Sequence, residues 1–373
     1  MRVQRIRLPN GKVTWTLLDN EGRFVEPVKS YVRYLESVGR SPNTIQAYLN
    51  HLKLFWEFLG GADLDWKQLK LEHLADFMTW LRRPDPRVIS LQPVEAKRSE
   101  ATVNLVLSAV YGFYDFHERN GTIEGIELYR HQFQPGRKYK SFLHHVNKGK
   151  ETRIRLLKIK PPRKLPKTLD EEAVKRVIEA CKRIRDKFLI TLLHETGMRI
   201  GQALGLRHED VHSWDNEIQI VPRDDNINGA RAKTRDTYKL HVSKELMGLY
   251  SAYVTTEYPE DIDSDYVFVN IWEGMRGYPL SYSTVQALFR RLSRDAEVRV
   301  TPHMFRHTHA TDLIRTGMQM SYVQKRLGHA SIQTTIDTYV HVTNEDMKHE
   351  YQKYIESQKD VSTSEDPEEG IPT

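Results

Sequence analysis

A mainly α-helical fold with a small β-sheet, in two domains behind a short N-terminal β-hairpin, is predicted by three observations. Apolar residues recur at spacings of three and four through two long blocks of the chain. A stretch dense in lysine, arginine and proline separates the blocks. Period-two alternation is confined to a few short segments. With 373 residues and 39% hydrophobic content the chain is long enough for two cores, and 28% charged residues is ordinary for a soluble protein.

The elements follow in order. Residues 1–24 alternate on either side of Asn10-Gly11, a dipeptide that takes the positive φ of a tight turn, so a hairpin opens the chain. Residues 25–130 form a helical block. Its clearest helix has Ser41 as cap and Pro42 in the first turn, with Ile45, Tyr48, Leu52, Phe55 and Leu59 on one face and Gly60-Gly61 as the stop. Leu71 to Leu81 supplies a second helix, and a third runs from about Ser99 to His117, closed by Asn120-Gly121.

Residues 131–166 read as an interdomain linker. From Arg130 to Lys167 there are thirteen basic residues against one acid, Glu151, so this stretch carries +12, and with a net charge of +6 the remainder sums to −6. Such a run is either a solvated linker or a strap along a phosphate backbone. After Pro161-Pro162 and Leu165-Pro166, Thr168-Leu169-Asp170-Glu171 reads as a capping box opening a second domain over 167–349. Within it, Glu217 to Val221 and Tyr238 to Val242 alternate like strands around the polar loop Asp224 to Asn228 and predict a small sheet. A last helix is expected from Asn344 to Ser357. Residues 350–373 hold its end and an acidic tail that lacks apolar anchors and reads as disordered.

Several function classes drop out. The longest apolar runs, such as Phe188 to Leu193, fall far short of the ~20 residues of a membrane span, and the basic start leads into no apolar signal core. A soluble cytoplasmic protein is expected. The one cysteine, Cys181, excludes disulfides and thiolate metal cages; it falls among the apolar positions of a helical pattern, where packing is its expected role. No P-loop is present, and no cofactor is implied.

Thr301-Pro302-His303-Met304-Phe305-Arg306-His307 reads as a helix start that sets His303 and Arg306 three apart on one face. A forked guanidinium, a helix N-terminus and an imidazole together suit an anion and a proton transfer. Taken alone the segment is a weak signal and more often marks a merely structural surface pair. A metal cluster of His303, His307 and His309 is a further reading, but no acid stands where a zinc-helix motif needs one.

Two other segments give this helix its context. Thr196-Gly197-Met198-Arg199-Ile200-Gly201-Gln202-Ala203-Leu204-Gly205-Leu206 resembles the first arginine box of the tyrosine recombinases, the phage integrase superfamily. Leu327-Gly328-His329-Ala330-Ser331 with Thr334-Thr335-Ile336-Asp337-Thr338-Tyr339 resembles their Gly-His box and nucleophile segment. Between them, Ala232-Lys233-Thr234 resembles the hairpin that carries the family's lysine, with Arg231, Arg235 and Lys239 as neighbouring choices. The resemblance covers about Thr168 to His349, and the helical block before it is similar in kind to the family's core-binding domain. The layout also resembles the transposase A branch that moves site-specific transposons in bacteria.

The resemblance implies site-specific cleavage and rejoining of DNA strands through a covalent 3′-phosphotyrosine, for integration or transposition. Arg199 and Arg306 would neutralise the non-bridging oxygens, and lysine would replace neither well. Tyr339 would be the nucleophile and His303 its base, Lys233 would protonate the departing 5′ oxygen, and His329 would support the phosphate. Neither ATP nor metal is then needed, because the intermediate keeps the bond energy. Partners implied are double-stranded attachment sites, with a homodimer on each, a homotetramer in the synapse and room for accessory proteins. Arg40, Asn43, Thr44, Lys97, Arg98 and Thr102, at helix starts of the first block, are the expected DNA contacts; helix capping and solvation are the plain alternatives. Where the family usually has an acid, Gln202 stands, expected to orient His303 without stabilising its charged form and so to lower its pKa. The rivals are a type IB topoisomerase and a non-catalytic sequence-specific DNA-binding protein.

Overall fold

The computed structural model describes residues 1–7, 13–83, 96–124, 129–132, 152–162, 167–234, 236–272, 274–328, 351–352 and 355. Two compact units divide the chain between Arg163 and Lys164. Among the described residues no helix is long and apolar enough to cross a membrane.

In the first unit, β1 (Arg2–Arg7) and β2 (Val13–Leu18) pair antiparallel with Arg7 opposite Val13. The Asn10-Gly11 turn lies outside the described residues. Among the described residues four α-helices follow: α1 (Glu26–Ser37), α2 (Pro42–Ala62), α3 (Leu71–Arg82) and α4 (Glu100–Arg119). Ser41 caps α2 by accepting from the Thr44 N–H at 3.2 Å, and Ser99 does the same for α4 with Thr102 at 3.4 Å. Gly60-Gly61 does not stop α2. The helix runs through both to Ala62, and Asp63 ends it in the left-handed conformation, giving its N–H to the Leu59 carbonyl.

Aromatic edges lock the core of this unit. Phe55 meets Phe77 and Tyr114 at 5.2 and 5.9 Å between ring centroids, and Phe113 meets Tyr114 at 5.3 Å. Part of the stretch read as linker is built into this unit. β3 (Tyr129–Gln132) pairs with β4 (Thr152–Arg155), Asn104 on α4 clasps Ile159 through both its backbone groups, and the Leu157 N–H bonds the Tyr111 hydroxyl.

The second unit starts at α5 (Glu171–Glu179), capped by Asp170, which accepts from the Ala173 N–H at 2.7 Å. The cap is thus Asp170 rather than Thr168. Cys181 lies in the turn beyond α5, half-buried against the core rather than on the helix, its thiol bonded to the Val177 carbonyl. α6 (Ile184–Thr196) is the central helix. Phe188, Leu189, Ile190, Leu192 and Leu193 are fully buried, because α8 (Lys244–Thr256) and α10 (Pro302–Arg315) both pack on it. A short α7 (Ile200–Leu204) leads to the sheet, ordered β5 (Val211–His212), β6 (Glu217–Ile220), β7 (Tyr238–His241), all antiparallel. β5 is an edge too short to be read from alternation. α9 (Tyr282–Asp295) and α11 (Met320–Leu327) complete the described part.

Candidate active site

The turn after α6 sets up the site. Gly197 caps the helix at φ +62°, and Met198 and Arg199 then bring the chain into α7. Gly201, in the first turn of α7, must lack a side chain: a Cβ there would sit 2.4 Å from the Arg231 carbonyl and 2.5 Å from the Tyr282 hydroxyl. The β6–β7 loop therefore lies directly on the start of α7, and it carries Lys233 to the same place. Lys233 itself takes a positive φ of 53°, a conformation uncommon outside glycine.

α10 begins beside this junction. Arg199, Lys233 and His303 all line one cavity of about 820 Å³, whose other walls include Arg231, Arg290, Arg299, Phe289 and Val300. Nη1 of Arg199 is buried and has no hydrogen-bond partner among the described residues. A buried guanidinium nitrogen without a partner is costly. His303, exposed at the cavity mouth, has its imidazole pushed below its ordinary pKa by partial burial first, then by Arg306, Lys233 and Arg199.

Arg306 is 5% exposed and its fork is held by main chain: Nη1 donates to the Gly197 carbonyl at 2.8 Å and Nη2 to the Leu327 carbonyl at 2.9 Å. Two residues far apart in sequence thus fix its plane. Of the neighbouring bases, Lys239 pairs with Glu217 at 2.8 Å and Arg231 approaches Asp224 at 3.6 Å, which supports Lys233 as the lysine of the site. Arg235, His329 and Tyr339 lie outside the described residues, as do the Asn344 to Ser357 helix in most of its length and the acidic tail.

Gln202 does not orient His303. It is 3% exposed, its Oε1 accepts the Arg199 backbone N–H at 2.7 Å, and its Nε2 donates to the Tyr238 hydroxyl at 2.9 Å. The lowered His303 pKa has burial and the three cations as its causes instead. His303 and His309 of α10 also do separate things. His309 is buried and accepts from Arg326 Nε at 3.1 Å, and its pKa falls to about 3 through burial, then Arg326. Among the described residues, no three histidines, cysteines or acids gather to hold a metal ion.

In the first unit, Arg40 and Asn43 are exposed, while the Thr44 and Thr102 hydroxyls bond back to their capping serines at 2.9 and 3.0 Å. Lys97 gives its N–H to the Arg82 carbonyl and Arg98 its Nη1 to the Leu81 carbonyl. Four of the six expected contacts therefore have a structural duty as well. Reading by residue type passed over Tyr238, Arg326, Arg290 and Arg299; Arg326 stands two residues before Gly328, and that adjacency was the one available signal.

The family model described as Phage integrase family matches residues 167–346, and that described as Phage integrase, N-terminal SAM-like domain matches 28–121. Transposase A from transposon Tn554 of Staphylococcus aureus is 46% identical over 358 residues, covering 95% of this chain and 98% of that protein. Tyrosine recombinase XerA of Thermococcus onnurineus is 27% identical over 88% of this chain and 95% of its own. Among solved structures, an integrase of transposon Tn1549 in complex with a circular intermediate DNA superposes with a TM-score of 0.59 at 17% identity, over 88% of this chain and 99% of that one. A lambda integrase dimer bound to a core site superposes with a TM-score of 0.56 at 14% identity, over 83% and 93%; both show the two-domain fold.

Proposed function

The chain belongs to the phage integrase family and is a site-specific DNA recombinase of the transposase kind, and from that premise we propose that Arg199, Lys233, His303, Arg306, His329 and Tyr339 are its catalytic set. The observation that carries the proposal is the convergence of Arg199, Lys233 and His303 on the walls of one cavity. Phosphate is the anion that a forked guanidinium, an ammonium and an imidazole suit together.

In the cleavage step the Tyr339 oxygen bonds to phosphorus as the bond from phosphorus to the 5′ oxygen breaks. The phenolic proton passes to His303, whose depressed pKa keeps it unprotonated and able to accept near neutral pH. Lys233 gives a proton to the departing 5′ oxygen, and the two arginines take up the charge on the non-bridging oxygens. His329 donates a hydrogen bond to the phosphate. The 3′-phosphotyrosine then awaits a 5′-hydroxyl from a partner duplex, whose attack reverses each transfer and rejoins the strand. Cleavage by protomer pairs on two attachment sites, joined as a tetramer, is part of the proposal. So are phosphate contacts from Arg40, Asn43, Lys97 and Arg98 and a place for the protein at the bacterial nucleoid. The DNA bound in the superposed solved structures supports the partner class.

The test incubates wild type and Tyr339→Phe, in EDTA, with suicide duplexes carrying candidate attachment sites. A covalent protein–DNA band on a denaturing gel from wild type alone is the expected result. Tight binding by both proteins with no band from either would overturn the proposed set in favour of the non-catalytic reading. Relaxation of supercoiled plasmid irrespective of site would favour the topoisomerase reading.

A further inference from the structure

Three segments that carry the proposed catalytic groups meet at one side chain the reaction does not use. Tyr238 opens β7 opposite Ile220, and so anchors the strand end of the loop that bears Lys233. Its hydroxyl receives Gln202 Nε2 at 2.9 Å, from the short helix whose cap residue is Arg199. It also presses on the turn after α11: a Cβ on Gly328 would lie 2.8 Å from that hydroxyl, and Gly328 is the left-handed cap preceding His329.

The amide of Gln202 has one possible orientation. A backbone N–H can only donate, so Oε1 must face Arg199 and Nε2 must face the phenol. The phenol therefore accepts from Gln202. With Gln202 buried, loss of either partner strands a polar group out of reach of water. Arg199 and Arg306 lie close enough that their charges act on the phenol, opposing the rise that burial imposes on its pKa.

We propose that Tyr238 and Gln202 form a positioning pair that sets Arg199 and the Gly328 cap of α11 at their working separation, in place of the acid usual at position 202. The inference rests on the recombinase reading above. It requires the two side chains to act as a unit, and it gives Gly328 a reason to be glycine beyond its positive φ of 62°.

The experiment uses the full chain and a suicide duplex on which wild type forms the covalent adduct. Single-turnover adduct rates, dissociation constants and pH profiles are measured for Tyr238→Phe, Gln202→Leu, the double variant and Gln202→Glu. A misplacement of about an ångström costs up to ~100-fold in rate, so each of the first two should slow the adduct by about 10–100-fold with the dissociation constant within about twofold. The double variant should be no more than about threefold slower than the worse single, because the pair fails as one. Gln202→Glu should restore the rate to within about threefold of wild type, since a carboxylate accepts from both the Arg199 N–H and the Tyr238 O–H. Its acid limb should also move to higher pH as the new anion opposes the cations around His303.

A Tyr238→Phe chain at wild-type rate, losses that multiply in the double variant, affinity falling in step with rate, or a Gln202→Glu chain as slow as Gln202→Leu would each overturn the inference. No adduct from wild type on any candidate site would instead overturn the recombinase reading, and the inference with it.

Discussion

His309 is 8% exposed and accepts through Nε2 from Arg326, a bond only the neutral ring can take. Its pKa of about 3 in the fold compares with about 6.5 unfolded, so the unfolded chain binds the proton first as pH falls. The stability it supplies is present in full above about pH 6.5 and is lost as the pH falls toward 3. Between pH 7 and 4.5 this one ring should cost about 2–3 kcal/mol. Urea midpoints at the two pH values should show His309→Gln, which keeps an acceptor for Arg326, losing less than wild type. An equal loss in both would remove His309 as the cause. The Gln202–Tyr238 bond is the residue-scale feature least open to sequence reading. Its partners stand 36 positions apart, and Gln202 invited assignment by its place in an arginine box rather than by the bonds burial would demand of it.

Elements carry the site because their ends do. The C-terminus of α6 presents the Gly197 carbonyl, the C-terminus of α11 presents that of Leu327, and Arg306 on α10 spans the two. Arg326 fastens the same end of α11 with bonds to the carbonyls of Glu195 and His241, each at 3.1 Å. Gly197→Ala would impose a left-handed alanine and place its Cβ 2.6 Å from the His309 ring. We expect a cost of about 2–4 kcal/mol in the denaturation midpoint, and an adduct rate that falls further than stability alone requires. Ser41→Ala and Ser99→Ala should each cost about 1 kcal/mol as lost caps, with DNA affinity little changed. Weakened affinity at unchanged stability would show those helix starts to be phosphate contacts first. Helix periodicity and the Ser41 cap were legible at this scale; the Asp170 cap was misplaced to Thr168, and the stop of α2 was missed because its two glycines are tolerated inside a helix packed on α4 and β2.

Across the whole molecule, charge is distributed more tellingly than the net +6 suggests. Arg290 and Arg299 are exposed at the cavity that Arg199 enters, and neither is in an ion pair among the described residues. Replacing each by glutamine should lower the slope of log affinity against log salt by about one for every phosphate the arginine neutralises; an unchanged slope would place them away from the duplex. The two helical blocks, the basic stretch between them and the order of the boxes were legible because each is written in local pattern or spacing. The union of β3 with β4, and of residues 157–159 with α4, was not, because their partners are distant and the stretch reads as polar linker. The hold of Leu327 on Arg306 has a consequence for the living cell. Arg306 emerges from the ribosome 21 residues before the carbonyl that aligns it, so an unfinished chain carries an arginine, proposed above to hold phosphate, that is not yet aimed. A chain ended before α11 should therefore hold phosphate less well than one ended just after Gly328, although both lack Tyr339 and neither can cut; a truncation pair compared for affinity to a nicked duplex at fixed salt would show the gain on adding α11.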